Sequence, residues 1–490
     1  MAGGIIRSSA VADVSGAPLP KTRREIGRGN AAVPMRTYPQ VELCEHPPLH
    51  HIPYRFCICG VRPSQGRSEV SNRSVLSETD RPNGFVRPPT YILHPLFVFS
   101  SVWLGVLLLY SLHLSFILRY PTTEIVSTIL TVWVPFAVTV CIYQVIRRHP
   151  ALNRSSARKP FRINYELLRR RLKIWFRIWI AVTVVEITAS GGVPIAWALT
   201  GSSKTYVDFG IKSLHGFVDS LQLTIAICYF VLFLASKQLK DLRVPIFFVC
   251  WCGVIINRNM MLVTLLEFAV LYVRLRGLKV STATKLVAGM LSFILVFGFI
   301  GDIRQGSGGA IRQLAQPTDE YPDWLPSGAL WAYIYITTPI NNLVYNVKET
   351  RPAYNPLFPN TVATLFPSVV RVVIYGDQLS DAESGQLVVS AFNVSTAYVG
   401  PYQDFGHTGM TLFSVMTGAM CFFFWVRNDL KNVLMLAVVT QCLILTLFFN
   451  HFFYLPVITQ LAWIWYLFLP PLRFRLHSPR PIRRTTRPSY

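Results

Sequence analysis

Apolar residues in this chain come in runs close to the length of a bilayer crossing, and short polar or basic turns separate the runs. The runs lack the one-in-two alternation of strands, so they read as helices that are hydrophobic on nearly every side. Ten of them are expected to span a membrane: 95–118, 124–146, 174–190, 216–236, 240–256, 260–273, 286–301, 409–426, 433–449 and 457–472. A crossing needs about 20 mostly apolar residues, so the predicted fold class is all-α, a polytopic helical membrane protein with about 10 transmembrane helices. The pattern divides the chain into an arm (1–90), transmembrane helices 1–7 (within 91–301), a large polar loop (302–408), transmembrane helices 8–10 (within 409–472) and a basic tail (473–490).

Composition narrows this further. Of 490 residues, 52% are apolar and 14% are charged, where soluble domains carry about 25% charge. A string of soluble domains is excluded, and so is disorder of the whole chain, which requires low hydrophobicity. The net charge is +23, from 47 Lys+Arg against 24 Asp+Glu, a balance that ordinarily points to nucleic acid. Its placement says otherwise. The arm has 12 basic and 7 acidic residues, 147–173 has 10 and 1, and 473–490 has 6 and none, which together hold twenty of the twenty-three surplus charges. With the amino terminus in the cytoplasm, the inner loops are 147–173, Lys237–Arg243, Arg274–Lys285, Arg427–Lys431 and the tail. Each is net basic, as the positive-inside rule requires. Both termini are therefore expected in the cytoplasm, the loop 302–408 outside, and no nucleic-acid partner is implied.

The outer loop differs in kind, with five basic residues (Arg304, Arg312, Lys348, Arg351, Arg371) against nine acidic ones and many Tyr, Pro, Asn and Gly. Loops this long are more often functional than connecting. Within it, Ser327–Asn346 is apolar and aromatic but interrupted by Pro339, Asn341 and Asn342, which predicts a helix lying at the interface or re-entering the membrane. The arm lacks the apolar core of a signal peptide and is rich in Pro, Arg, Ser and Gly. It is expected to be disordered, or the product of an upstream start site. Its Cys44, His46, His50, His51, Cys57 and Cys59 do not have zinc-site spacing, because Cys-x-Cys lacks the usual two to four intervening residues. No metal or other cofactor is expected. Cys141, Cys228, Cys250, Cys252, Cys421 and Cys442 fall in the apolar runs, where a thiol packs as a small hydrophobe.

Charges at membrane depth are costly, at roughly 2.5 to 3.5 kcal/mol even on insertion scales, and so are functional candidates. Lys173 and Arg177 stand near an inner end and can snorkel. Glu186, in VVEITASGG, and Glu267, in MMLVTLLEFAVLYV, have no such escape. Arg258 lies in NRNMM between apolar runs of 13 and 14 residues, Val244–Ile256 and Met260–Val273. Runs of that length reach only about 20 Å, so a recessed turn would aim a guanidinium at the diphosphate of a membrane lipid. The alternative is that Leu239–Arg243 lengthens the helix and Arg258 only reaches the headgroups. Arg304, in GDIRQGSGG, and Arg371, in PSVVRVVIYGDQ, are further outward arginines that would complete a local anion site. The segment FNVSTAYVGPYQDFGHTG (392–409) offers Asp404 and His407 as bases, Tyr398 and Tyr402 as sugar-stacking or hydrogen-bonding groups, and Asn393 and Thr396 for hydroxyls. Its plain alternative is a turn at Asp404–Gly406. No phosphate-binding P-loop occurs.

Three segments, GGVPIAWALTGSSKTYVDFGIKSLHGF (191–217), INRNMML (256–262) and FNVSTAYVGPYQDFGHTG, resemble the bacterial oligosaccharide repeat unit polymerases of the O-antigen polymerase (Wzy) type, over about residues 91–470. The resemblance implies a metal-independent inner-membrane glycosyltransferase with a large periplasmic loop. It would join undecaprenyl-diphosphate-linked oligosaccharide units on the periplasmic face, for O-antigen or exopolysaccharide. Arg258 and Arg304 would face the departing diphosphate, and Asp404 or His407 would take the acceptor proton. Arg371, Tyr398, Tyr402, Asn393 and Glu186 would bind substrate. Membrane lipids and a chain-length regulator are the other expected partners. None of Arg304, Arg312, Arg351 and Arg371 has Gly eleven positions on, so the paired arginine-loop pattern of some members is missing. An O-antigen ligase is the nearest rival; a lipid-linked oligosaccharide flippase or polysaccharide exporter is the rival that is not an enzyme.

Overall fold

The computed structural model describes residues 91–148, 165–292 except 282, 286 and 290, 310–376 except 323, and 385–469 except 391 and 393. The arm with its Cys and His residues, residues 149–164 of the expected inner loop 147–173, most of the expected span 286–301, and the basic tail lie outside the described residues. Among the described residues the chain is all-helical, with no strand. The first helices are α1 (Pro95–Ser111), α2 (Thr122–Arg148), α3 (Tyr165–Ser190), a short α4 (Pro194–Thr200), α5 (His215–Ser236), α6 (Leu239–Val254) and α7 (Arg258–Arg276). Between 302 and 408 stand α8 (Ala310–Ala315), α9 (Ser327–Glu349), α10 (Pro359–Val362) and α11 (Ser368–Tyr375), followed by α12 (Val399–Trp425), α13 (Leu430–Ile444) and α14 (Leu455–Leu467).

Five stretches are long and apolar enough to cross a membrane: Thr122–Arg148, Tyr165–Thr200, His215–Ser236, Val399–Trp425 and Leu430–Leu447; α1 and α14 are shorter apolar helices. Charge explains why two other expected spans differ. α6 has 16 residues and carries Lys240, Asp241 and Arg243 in its first turns, and α7 contains Arg258, Glu267, Arg274 and Arg276. α6 and α7 also begin earlier than the apolar runs that predict them. Leu239–Arg243 is helical, as the headgroup alternative for Arg258 requires.

Burial follows hydrophobicity. α5 and α13, apolar on every side, are the most enclosed helices. α5 packs against α3, α6, α7 and α14, and α13 against α1, α7, α12 and α14. Outward leucines, valines and isoleucines of α1–α3, among them Leu104, Leu108, Leu130, Val138, Ile142, Ile174 and Val185, are exposed. A belt this apolar is what lipid, not water, surrounds, and the chain is a membrane protein. Close helix approach uses small residues: a Cβ at Gly418 of α12 would lie 3.3 Å from the Phe136 carbonyl of α2.

One pole of the bundle gathers arginines. Arg169 pairs with Asp241 at 2.9 Å and Glu166 at 3.0 Å, Arg276 donates to the Leu234 carbonyl near the end of α5, and Arg171 donates to the Leu467 and Leu469 carbonyls at the end of α14. Cations at helix C-termini satisfy orphan carbonyls and the helix dipole.

The opposite pole is organised by α9. It runs as one 23-residue helix through Pro339, and the asparagines that interrupt its apolar pattern are fully buried. Asn341 donates to the Ile117 carbonyl (3.1 Å) and accepts from the Tyr110 hydroxyl (3.0 Å) and the Arg119 amide (3.2 Å). Asn342 donates to the Val394 carbonyl (2.9 Å) and accepts from the Val388 amide (3.0 Å). Asn346 donates to the Gln386 carbonyl (2.7 Å) and accepts from the Gln386 amide (2.9 Å). Each asparagine thus holds a loop whose backbone has no helical partner.

Candidate functional site

α3 ends at Ser190 because Gly191 (φ +74°) and Gly192 (φ +138°) turn out of the helix. The following loop folds back over that end. Lys204 Nζ donates to the Ser190 carbonyl at 2.7 Å and sits 5.5 Å above the Trp197 ring, and the Gly210 amide donates to Ser190 Oγ at 2.9 Å. At Gly210 (φ +89°) a Cβ would lie 2.6 Å from the His215 ring, so only glycine lets the backbone lie against the imidazole. His215, the first residue of α5, is thereby seated. Its Nδ1 is 3.1 Å from Glu186 Oε1, its Nε2 is 3.6 Å from Asp219 Oδ2 one turn further on, and Phe209 meets the ring edge-on at 5.4 Å. The three side chains open in order: Glu186 is 1% exposed, Asp219 14% and His215 27%. On the loop itself, the Thr205 amide and hydroxyl hold the Asp208 carboxyl below the usual carboxylate range, with Lys204 and Lys212 adding to the effect.

Arg258 opens α7, whose N-cap Asn257 accepts from the Met260 amide at 3.0 Å. The arginine is half-buried. On one side of it Ile255 packs with Trp197 and Phe209, and on the other Met260 packs with Leu223, Cys252 and Leu445. The residues flanking Arg258 thus pack against the loop before His215 and against Leu445 just beyond α13. Arg371 is half-buried on α11, one turn after Ser368, whose hydroxyl meets Ser213 Oγ at 2.9 Å. Glu186, Arg258 and Arg371, far apart in sequence, are brought to the same pole with His215 and Asp219.

The 392–409 segment is built differently from its expected roles. Asp404 is fully buried, and four donors saturate its carboxylate: Oδ1 accepts from the Asn360 amide (3.1 Å) and side chain (2.8 Å), Oδ2 from the Thr361 amide (2.8 Å) and hydroxyl (2.6 Å). The carboxylate expected as a base instead pins α10 across the break in α12 at Phe405 and Gly406 (φ +62°). Tyr398 is fully buried between Trp103 (5.7 Å) and Phe413 (5.3 Å), so the protein's own rings fill the place expected for a sugar. The Tyr402 hydroxyl donates to the Val347 carbonyl at 2.8 Å and the Thr350 carbonyl at 3.3 Å, closing the end of α9. Glu186, expected to bind substrate, contacts His215 and the Ile211 amide (3.4 Å) instead of open space. His407 is exposed beside the Tyr402 ring at 5.7 Å. Arg304 and Asn393 lie outside the described residues.

Segment 359–375 joins these parts. The Asn450 side chain donates to the Thr361 carbonyl (3.0 Å) and the Thr364 hydroxyl to the Phe453 carbonyl (2.9 Å). Burial, and after it the nearby Asp404 charge, raises the Tyr375 hydroxyl on α11. Sequence reasoning missed His215 and Asp219. Their signal was present, a His and an Asp four residues apart at the head of an apolar run, but their link to Glu186 crosses a folded loop. Among the described residues no group of three or more His, Cys, Asp or Glu is placed to hold a metal ion. Compared with known proteins, the chain matches no family model, no curated protein and no solved structure.

Proposed function

We propose that this chain is a polysaccharide polymerase of the bacterial inner membrane, which crosses the bilayer about ten times with both termini in the cytoplasm and the 302–408 segment in the periplasm. It transfers a growing glycan from undecaprenyl diphosphate onto the next lipid-linked oligosaccharide unit. The observation that supports this best is the division between the poles. One end of the bundle carries arginines engaged with helix ends and acids. The other collects the long inter-helix segments with Glu186 in the last turns of α3, His215 and Asp219 in the first turns of α5, Arg258 at the start of α7, and Arg371 on α11. Inverting glycosyl transfer passes through an oxocarbenium-like state and needs cations on the departing diphosphate and a base at the acceptor hydroxyl. Arg258 and Arg371 supply the cations in this reading, and Arg304 follows the expected span 286–301 in the sequence. Such a site also needs lipid access, which a position at the ends of membrane helices provides.

The test is a chromosomal deletion read by glycan ladder gel and by the lipid-linked intermediates that accumulate. Loss of long chains with single units still exported is the expected result. Long lipid-linked chains that are never attached identify a ligase, and units trapped on the cytoplasmic side identify a flippase; either result overturns the polymerase reading. Complementation with Arg258→Ala is expected to restore membrane protein but no chain growth, and wild-type ladders from that variant remove Arg258 from the mechanism.

A further inference from the structure

Among the described residues, Asp404, Glu186 and Asp219 are carboxylates of low exposure at this pole, and their hydrogen bonding separates them. Asp404 accepts four hydrogen bonds. Such a carboxylate has no lone-pair direction left for a substrate hydroxyl. Glu186 is 1% exposed and is committed to His215 and the Ile211 amide. Asp219 is the exception. Among the described residues its single polar contact is His215 Nε2, at 3.6 Å, longer than a hydrogen bond, and its side chain keeps 14% of its surface open. The imidazole beside it meets Glu186 on its other nitrogen, and the Gly210 backbone and the Phe209 ring pack against it. Leu223, one turn beyond Asp219, packs in one cluster with Met260, two residues after Arg258; a carboxylate with vacant acceptor capacity, beside an oriented histidine and on a helix packed against the arginine's, is the arrangement that a base for a sugar hydroxyl requires.

We propose that Asp219 is the proton acceptor of the transfer reaction, with His215 and Glu186 as its positioning residues, an assignment that rests on the polymerase reading above. The acceptor sugar hydroxyl donates to Asp219. As its oxygen forms the new bond to the anomeric carbon of the donor glycan, its proton passes to the Asp219 carboxylate. The anomeric carbon–oxygen bond to the lipid diphosphate breaks at the same time, and its electron pair leaves on the diphosphate, facing Arg258. The proton and the lipid diphosphate then leave the site, so the step consumes no oxidant, nucleotide or metal. His215 holds the Asp219 carboxylate in position, and Glu186, on the far nitrogen, fixes the ring.

The experiment uses full-length protein in detergent or nanodiscs, supplied with purified undecaprenyl-diphosphate-linked repeat units, with polymer length read on gels and donor binding read separately. Asp219→Asn is expected to slow chain growth by about 10²- to 10⁴-fold and to leave donor binding within about threefold of wild type. Arg258→Ala is expected to weaken donor binding itself. His215→Gln is expected to lose activity by a smaller factor, about tenfold, and to change the pH profile of the remaining rate. Asp219→Ala is expected to regain activity with millimolar formate, a small carboxylate that re-occupies the place of the missing base; a merely structural role would show no such rescue. If wild type makes no polymer from these units, the polymerase reading fails and the assignment falls with it. If wild type is active and Asp219→Asn keeps more than about a tenth of its rate, Asp219 alone is overturned. Loss of activity in His407→Ala with Asp219→Asn unimpaired overturns it in favour of His407.

Discussion

Asp404 shows how a residue's chemistry is decided by its donors. An acid beside His407 in a polar segment carries the outward marks of a base, yet two amides, one hydroxyl and one carboxamide fill its lone pairs. Replacing it with Asn swaps an acceptor for a donor facing other donors, which costs about 3 kcal/mol. Asp404→Asn is therefore expected to lower the midpoint of thermal unfolding in detergent. An unchanged midpoint with lost activity would return Asp404 to the chemistry. Glycine carries the complementary constraint. Gly400 approaches the Asn360 carbonyl so closely that a Cβ would stand 2.3 Å from it, and at Gly409 the same atom would stand 2.0 Å from the Pro401 carbonyl. The break in α12 and the seat of α10 against it both depend on the absence of those two Cβ atoms.

At the scale of elements, the apolar runs located α1, α2, α3, α5, α12, α13 and α14 to within a few residues at most ends, although α12 begins at Val399 and α3 at Tyr165, well before their runs, and α1 ends at Ser111, short of its own. Hydrophobicity over a helix length is a strong signal and needs no tertiary information. α9 was less legible. Pro339 and its asparagines read as interruptions, but the helix continues through them, because proline is tolerated where packing surrounds a helix and the asparagine side chains reach out to loops. What a polar residue in an apolar run binds is set by segments 40 or more residues away, and spacing carries no trace of that. Asn342→Leu is expected to leave α9 intact, to cost about 1–2 kcal/mol from the unpaired Val388 amide and Val394 carbonyl, and to open 385–394 to protease added to the detergent-solubilised protein. Unchanged protection there would show that Asn342 is dispensable to the loop. The site was legible in the same uneven way: Arg258 was visible from its place between two apolar runs, while the pairing of Glu186 with His215 depends on a loop that turns at Gly210.

At the scale of the whole molecule, α13, α14 and their connection close over the pole that holds His215. His451, in the connection between them, is 1% exposed and faces Gln441 at 3.3 Å, and burial pushes its imidazole down to about 3 from an ordinary 6.5. The sign is fixed by this depression. Above about pH 6.5 neither state binds the proton; below it the unfolded chain does and the fold does not, so stability falls as pH drops toward 3. The loss is about 2 kcal/mol at pH 5. Unfolding midpoints measured near neutrality and at about pH 5 are expected to fall further for wild type than for His451→Gln, and equal falls would remove His451 from the acid response. The ties of Asn450 to Thr361 and of Thr364 to Phe453, with Gly216 packed against Leu455 and Pro456 of α14, have a consequence for how the protein is made. Segment 359–375 and the His215 socket leave the ribosome before the helices that lock them. The pole that carries the His215 socket is thus completed only when the α13–α14 hairpin inserts, and a chain stopped after Trp425 would leave that socket open on the α14 side.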